Sequence, residues 1–125
     1  MTSKTRQDLP ARALRFSMAL MPFQRRASAI GPATSHVALQ MFRAGTAIGA
    51  SIEEGQVANS RRDMAAKYAI ALREARETAY WLKLLSQEDA LTDEAGRLAK
   101  EASEFVAMLT VSVRKLRQDP EGPSL

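Results

Sequence analysis

The sequence predicts an all-α protein, an up-down-up-down antiparallel four-helix bundle, and three observations carry that expectation. Strong breakers are sparse: Pro10, Pro22, the pair Gly31-Pro32 and the tail DPEGPSL are the main ones in 125 residues. The stretches between them are rich in Ala, Leu, Glu, Arg and Lys, which favour helix. Within those stretches apolar residues recur at steps of three and four, with charged residues on the other faces. A chain of this length is of single-domain size and can bury one core without disulfides or a metal.

The elements follow in order. Helix one is expected over 9–28, from the run FSMALMPF between Arg12, Arg15, Arg25 and Arg26, with Pro22 as a point where it can break. Helix two, over 33–57, follows Gly31-Pro32 and carries the stripe Val37, Met41, Ala44, Ile48 and Ile52. Helix three, over 61–87, carries Met64, Tyr68, Ala71, Ala75, Ala79 and Leu82, with Arg62, Lys67, Arg73, Arg76, Glu77 and Lys83 on the other faces. Its start is set by Ser60 and Asp63, whose side chains can satisfy free backbone N–H groups of the first turn. Helix four, over 93–117, repeats the pattern with Leu98, Ala102, Phe105, Leu109, Val113 and Leu116, opened by Thr92 with Asp93 and Glu94 in the next turn. Connections this short force neighbouring helices to run antiparallel. Residues 9–117 then form the domain, with 1–8 and 118–125 as flexible tails.

Composition narrows the chemistry. With no cysteine there is no disulfide, no thiolate nucleophile and no Cys-ligated metal, as suits a reducing compartment. The single His36 is too few for the usual His-rich metal sites, and a Ser-His-Asp arrangement would have to use it. No metal and no cofactor is expected. The run FSMALMPF is too short to span a bilayer and lacks a small-residue cleavage site. Residues 1–26 are Arg-rich and amphipathic like a transit peptide, but Asp8 and a role as a core helix speak against that. The expectation is a cytoplasmic protein with no membrane partner.

The stretch GTAIGASIEEGQVANSRRD, residues 45–63, admits three readings: a phosphate loop, a catalytic carboxylate pair, or a helix-packing seam. A phosphate loop needs a preceding strand and a Lys after the last glycine, whereas Gln56 follows Gly55 and the glycines fall inside a helical phase. Gly45 and Gly49, with Ala44, Ala47, Ala50 and Ser51, instead remove bulk from one face so that another helix can approach closely. Each glycine costs about 1 kcal/mol of helix propensity, which tight packing would offset. Whether that neighbour lies in the same chain or in another copy is open at this level. Adjacent helical residues point about 100° apart, so Glu53 and Glu54 cannot act together as paired acid and base. The favoured reading leaves Glu53 solvated and pairs Glu54 with an arginine. The chain also lacks the Glu-x-x-His motifs of di-iron bundles.

From Phe42 to Leu85 the chain resembles the four-helix-bundle family of proteins encoded in intervening sequences of bacterial 23S ribosomal RNA genes, to which accessory proteins of diversity-generating retroelements are also similar. The matching positions are Arg43, Thr46, Ile48, Ala50, Glu54, Gly55, Ser60, Asp63, Ile70, Ala71, Glu74, Ala75, Glu77, Tyr80, Trp81 and Leu82. Two positions depart from the family pattern: Ser51 stands where Asn is usual, and Met64 where an aromatic is common. The resemblance implies a bundle that is commonly a homopentamer and has no known enzymatic activity, with nucleic-acid binding suggested for the retroelement branch.

Charge adds a candidate surface. Residues 1–30 hold six basic and one acidic side chains, against twelve basic and thirteen acidic in 31–125, so the net charge of +4 arises near the N-terminus. An antiparallel bundle brings Lys4, Arg6, Arg12, Arg61, Arg62, Arg114, Lys115 and Arg117 to one end, and Glu88, Asp89, Asp93 and Glu94 to the other. A basic end of that kind can bind RNA or DNA phosphates. Lys and Arg near helix C-termini are also favoured by the helix dipole alone. Tyr68, Tyr80 and Trp81 can stack on bases, although aromatics at helical spacing commonly serve core or subunit contacts. Two functions stand: a homo-oligomeric, non-enzymatic scaffold that binds RNA or DNA, and a module that binds another protein and no nucleic acid. Apolar residues beyond the core stripes, Leu39, Phe42, Ile48, Trp81 and Leu84, point to self-association.

Overall fold

A computed structural model describes residues 3–123, with side chains from Asp8 onward. Four α-helices account for most of it: α1 (Ser3–Ser28), α2 (Pro32–Gln56), α3 (Arg61–Leu85) and α4 (Thr92–Gln118). They follow the expected order, and no strand occurs among the described residues. α1 begins ahead of position 9 and passes through Pro10 and Pro22 without a break. The missing N–H of Pro22 leaves free the carbonyl of Met18, an exposed residue one turn earlier, where water can take it up.

The helix starts are set by different devices. Pro32 occupies the first helical position of α2, where no N–H is needed. At α3 the Ser60 hydroxyl accepts a hydrogen bond from the Asp63 N–H at 3.0 Å, as the sequence predicts. Thr92 does not cap α4. A single 3-10 turn, Asp89–Leu91, leads directly into the helix, and Leu91 stands at the N-cap without a side-chain hydrogen bond. The Thr92 hydroxyl instead donates to the carbonyl of Ser86, just past the end of α3, and to that of Glu88, which also accepts from the Leu91 N–H.

The core runs the length of the bundle. Leu9, Ala13, Phe16, Leu20 and Phe23 of α1 meet Met41, Ile48 and Ile52 of α2, Tyr68, Ala71, Ala75 and Leu82 of α3, and Ala102, Phe105, Leu109 and Leu116 of α4, all buried. The expected stripes hold with two exceptions. Val37 and Ala79 are only partly buried, and Thr78 is fully buried with its hydroxyl bonded to the Glu74 carbonyl at 2.7 Å. Ile48 is wholly core and adds nothing to the surface.

The glycine seam has its partner inside the chain. A Cβ on Gly45 would run into the Leu20 side chain of α1, and one on Gly49 would lie 3.4 Å from the Ala13 Cβ. Higher positions of α2 thus meet lower positions of α1, which fixes an antiparallel pair packed through small residues. At the far end of α2 a Cβ on Gly55 would lie 2.5 Å from the Tyr68 ring of α3, so this glycine makes room for an aromatic. α1 and α4 approach less closely, and large side chains close the bundle there. Phe16 and Phe105 pack with ring centroids 5.5 Å apart. Beside them Arg12 forks onto Glu101 at 2.7 and 2.8 Å, reaches Glu104 at 2.7 Å, and lies over the Phe105 ring.

Candidate nucleic-acid interface

The start of α3 and the end of α4 meet at one end of the bundle, as the sequence expects; of the cations there Arg61 and Arg62 are engaged, whereas Arg114, Lys115 and Arg117 meet no carboxylate among the described residues. Arg61 donates to the carbonyls of Lys115 at 3.0 Å, Asp119 at 2.7 Å and Pro123. It thus caps the C-terminus of α4, where a guanidinium satisfies carbonyls that have no partner in the helix. Arg62 pairs with Glu121 at 3.0 Å, both largely exposed. Arg12 sits farther along the bundle in its Glu101 and Glu104 pairing, and its guanidinium is held above the ordinary Arg range, first by the Glu101 hydrogen bond. Lys4 and Arg6 lie outside the described side chains. Asp119 and Glu121 share this end, as does Glu54, which pairs at 3.5 Å with Lys67 rather than with an arginine. Glu53 is exposed, as expected. At the opposite end Arg26 meets Glu94, and Glu88 accepts from Thr34.

Exposed cations that meet no carboxylate among the described residues are Arg15, Arg25, Arg43, Arg97 and Lys115 elsewhere on the surface, and a set along one side of the bundle. Two shallow hollows open between α3 and α4, of about 330 and 420 Å³. The first is lined by Arg62, Ala65, Ala66, Leu116, Arg117 and Pro120, the second by Leu72, Thr110, Val113, Arg114, Arg117 and Gln118. They share Arg117 and so form one groove with an apolar floor. Helical spacing continues the exposed outer faces of both helices beside it. From Arg62 the same flank of α3 continues through Ala66, Ala69, Arg73, Arg76, Tyr80 and Lys83, while on α4 it runs from Lys100 through Ser103, Ala107, Thr110 and Arg114 to Arg117. Every one of these residues is exposed or partly exposed.

Two cations of this stripe meet a carboxylate: Arg62 with Glu121, and Arg73 with Glu74 at 3.9 Å. Arg76, Lys83, Lys100, Arg114 and Arg117 have none within ion-pairing distance among the described residues. The structure therefore brings Arg62, Arg114 and Arg117 into one groove, and it turns Arg61 and Arg12 to structural use. Arg73, Arg76, Lys83 and Lys100 lie outside its lining, exposed on the outer faces of the same two helices. They were legible as the polar face of helix three and of helix four, but not as one shared surface.

The residues matched to the family divide between packing and surface. Gly45, Gly55, Ser60 and Asp63 serve the seam, the aromatic fit and the cap described above, Gly49 packs on Ala13, and Ser51 is partly buried on α2. Arg43 is exposed on α2, near Thr46, whose hydroxyl donates to the Phe42 carbonyl at 2.8 Å. Glu74 is partly buried, and its carboxyl is raised above the usual range, first by burial and then by neighbouring Glu77. Among the described residues no three His, Cys, Asp or Glu side chains come together to hold a metal ion. No described helix is long and apolar enough to cross a membrane.

Comparison with known proteins agrees with this architecture. A crystal structure of a protein of unknown function from the S23 ribosomal protein family of Bacteroides thetaiotaomicron superimposes with a TM-score of 0.74, at 30% identity over 84% of this chain and 97% of that one. No functionally curated protein matches the chain. The family model for the 23S rRNA-intervening sequence protein covers residues 17–111, from the middle of α1 through α2 and α3 to within two turns of the end of α4, and the chain belongs to that family.

Proposed function

We propose that this protein is a non-enzymatic, self-associating bundle that binds RNA or DNA phosphates along the α3/α4 groove. The observation that carries this is that Arg114 and Arg117, which meet no carboxylate among the described residues, line a groove floored by Ala65, Leu72 and Val113, with Arg76, Lys83 and Lys100 exposed on the outer faces of the same two helices. Cations already paired to carboxylates have little left to gain from a phosphate, whereas unpaired ones release the counterions of the nucleic acid. The apolar floor admits sugars and bases without leaving a polar group unsatisfied. Contacts of this kind position a backbone and do not read its sequence.

The opposite side of the bundle supports self-association. Leu14, Met18 and Met21 of α1 and Leu39 of α2 are exposed, at 45 to 60%, on the two helices farthest from the groove. A hollow lined by Pro10, Leu14, Ser17, Thr46, Gly49, Ala50 and Glu53 runs between them. An apolar strip of this sort on a small bundle suits contact with another copy, in keeping with the pentamer that the family resemblance implies. It equally suits the second reading, a module that assembles or binds protein and leaves nucleic acid alone.

A charge-reversal experiment separates the two. Arg76→Glu with Arg114→Glu is compared with Arg15→Glu and Lys115→Glu, which change net charge equally but lie off the stripe. At about 50 mM salt the first pair should abolish binding of a labelled RNA, and the second should leave most of it. Wild-type affinity should fall with salt at a log-log slope of about −0.7 to −0.9 per phosphate contacted. Equal loss in both pairs refutes the groove. No wild-type binding to RNA or DNA leaves the protein-binding module.

A further inference from the structure

The basic stripe contains one aromatic ring, and it is the most exposed ring among the described residues. Tyr68 is buried in the core, as are Phe16, Phe23 and Phe105, whereas Tyr80 is 61% exposed. It sits on α3 four residues after Arg76 and three before Lys83, which places it on the same flank as both cations. The ring is braced. Trp81 packs against it near-perpendicularly with centroids 5.1 Å apart, and the Trp81 indole N–H donates to the Glu77 carboxylate at 3.2 Å. An exposed tyrosine held by a neighbour that is itself tied down has less motion to lose when a planar group docks on it.

We propose that the α3/α4 groove binds single-stranded nucleic acid in preference to duplex, with one base stacked on Tyr80. This rests on the phosphate-binding function proposed above and names the class of nucleic acid. A duplex presents phosphates on its outside but keeps the faces of its bases covered by one another, so only a terminal pair could reach an aromatic platform. A single strand exposes a base face at every nucleotide, and cations beside an aromatic ring are the combination that single-strand binders use. The stripe has the length for it. At about 1.5 Å per residue, Arg62 and Lys83 stand about 30 Å apart along α3, room for several nucleotides to follow the cations before one meets Tyr80.

The test measures fluorescence anisotropy of a labelled, non-self-complementary RNA of about 20 nucleotides, and of the same RNA paired with its complement, at about 50 mM salt. The single strand should bind more tightly. Tyr80→Ala should weaken it about tenfold without changing the salt slope, because stacking releases no counterions, while duplex binding stays put. Tyr80→Phe should retain the affinity, since the ring and not the hydroxyl makes the contact. Circular dichroism checks that helix content is unaltered, as expected for an exposed side chain. If the duplex binds as tightly as the single strand, or Tyr80→Ala is indifferent while Arg76→Glu with Arg114→Glu still abolishes binding, this inference fails and phosphate binding survives. If neither RNA binds, both are overturned.

Discussion

Replacing Gly45 and Gly49 by alanine, one at a time, should shift stability in opposite directions although the two positions are one helical turn apart and the chemical change is identical. In an exposed helix each replacement would gain about 1 kcal/mol of helix propensity. At Gly49 the new methyl would stand 3.4 Å from the Ala13 Cβ and 3.7 Å from the Ala13 carbonyl, which is ordinary contact, so most of that gain should survive. At Gly45 the methyl would collide with the Leu20 side chain and would itself stand 3.5 Å from Thr78 Cγ2. Leu20 is fully buried, so it has no open space to move into. Overpacking of this kind costs about 1–3 kcal/mol, which outweighs the propensity gain and leaves a net loss of about 1 kcal/mol. For a chain of this size 1 kcal/mol corresponds to about 3–5 °C in melting temperature. Thermal melts followed at 222 nm, backed by urea midpoints with unchanged slopes, give the comparison. A melting temperature that moves the same way for both variants would refute the account of the seam. If both rise, Leu20 repacks freely; if both fall, the α1/α2 spacing is tighter than these distances allow.

Two further outcomes follow from single contacts. Arg12→Met should cost about 2 kcal/mol at neutral pH through the lost fork onto Glu101 and Glu104. Glu101 is held below the usual carboxylate range, first by the Arg12 hydrogen bond, so this contribution is present above its unfolded pKa and is lost as pH falls through the lower folded value. The difference between wild-type and variant melting temperatures should therefore shrink below about pH 4, and a constant difference down to pH 3 would refute it. Ser112 is buried with its hydroxyl unpaired among the described residues. Ser112→Ala removes a desolvated polar group and should stabilise the fold by about 1 kcal/mol, whereas a drop in melting temperature would show that the hydroxyl has a partner.

By itself the sequence determined what depends on near neighbours along the chain. The period of Met64, Tyr68, Ala71, Ala75 and Leu82 placed α3 and its buried face, and Ser60 with Asp63 placed its first turn, because periodicity and capping act within a few residues. The motif around Gly45, Gly49, Gly55 and Ser60 was enough to indicate the family. Tertiary structure decided everything that depends on which residues stand opposite one another. Thr92 reads as a cap, yet the turn at Asp89–Leu91 gives its hydroxyl the carbonyls of Ser86 and Glu88 as acceptors. Arg12, Arg61 and Arg114 are alike as letters in a basic chain. Arg12 meets Glu101 across the gap between α1 and α4, Arg61 meets the bare carbonyls ending α4, and Arg114 meets no carboxylate in the described structure. A charge can bind a partner only if its own protein has not already neutralised it. That neutralisation is set by the register between helices distant in sequence, which short-range spacing does not encode.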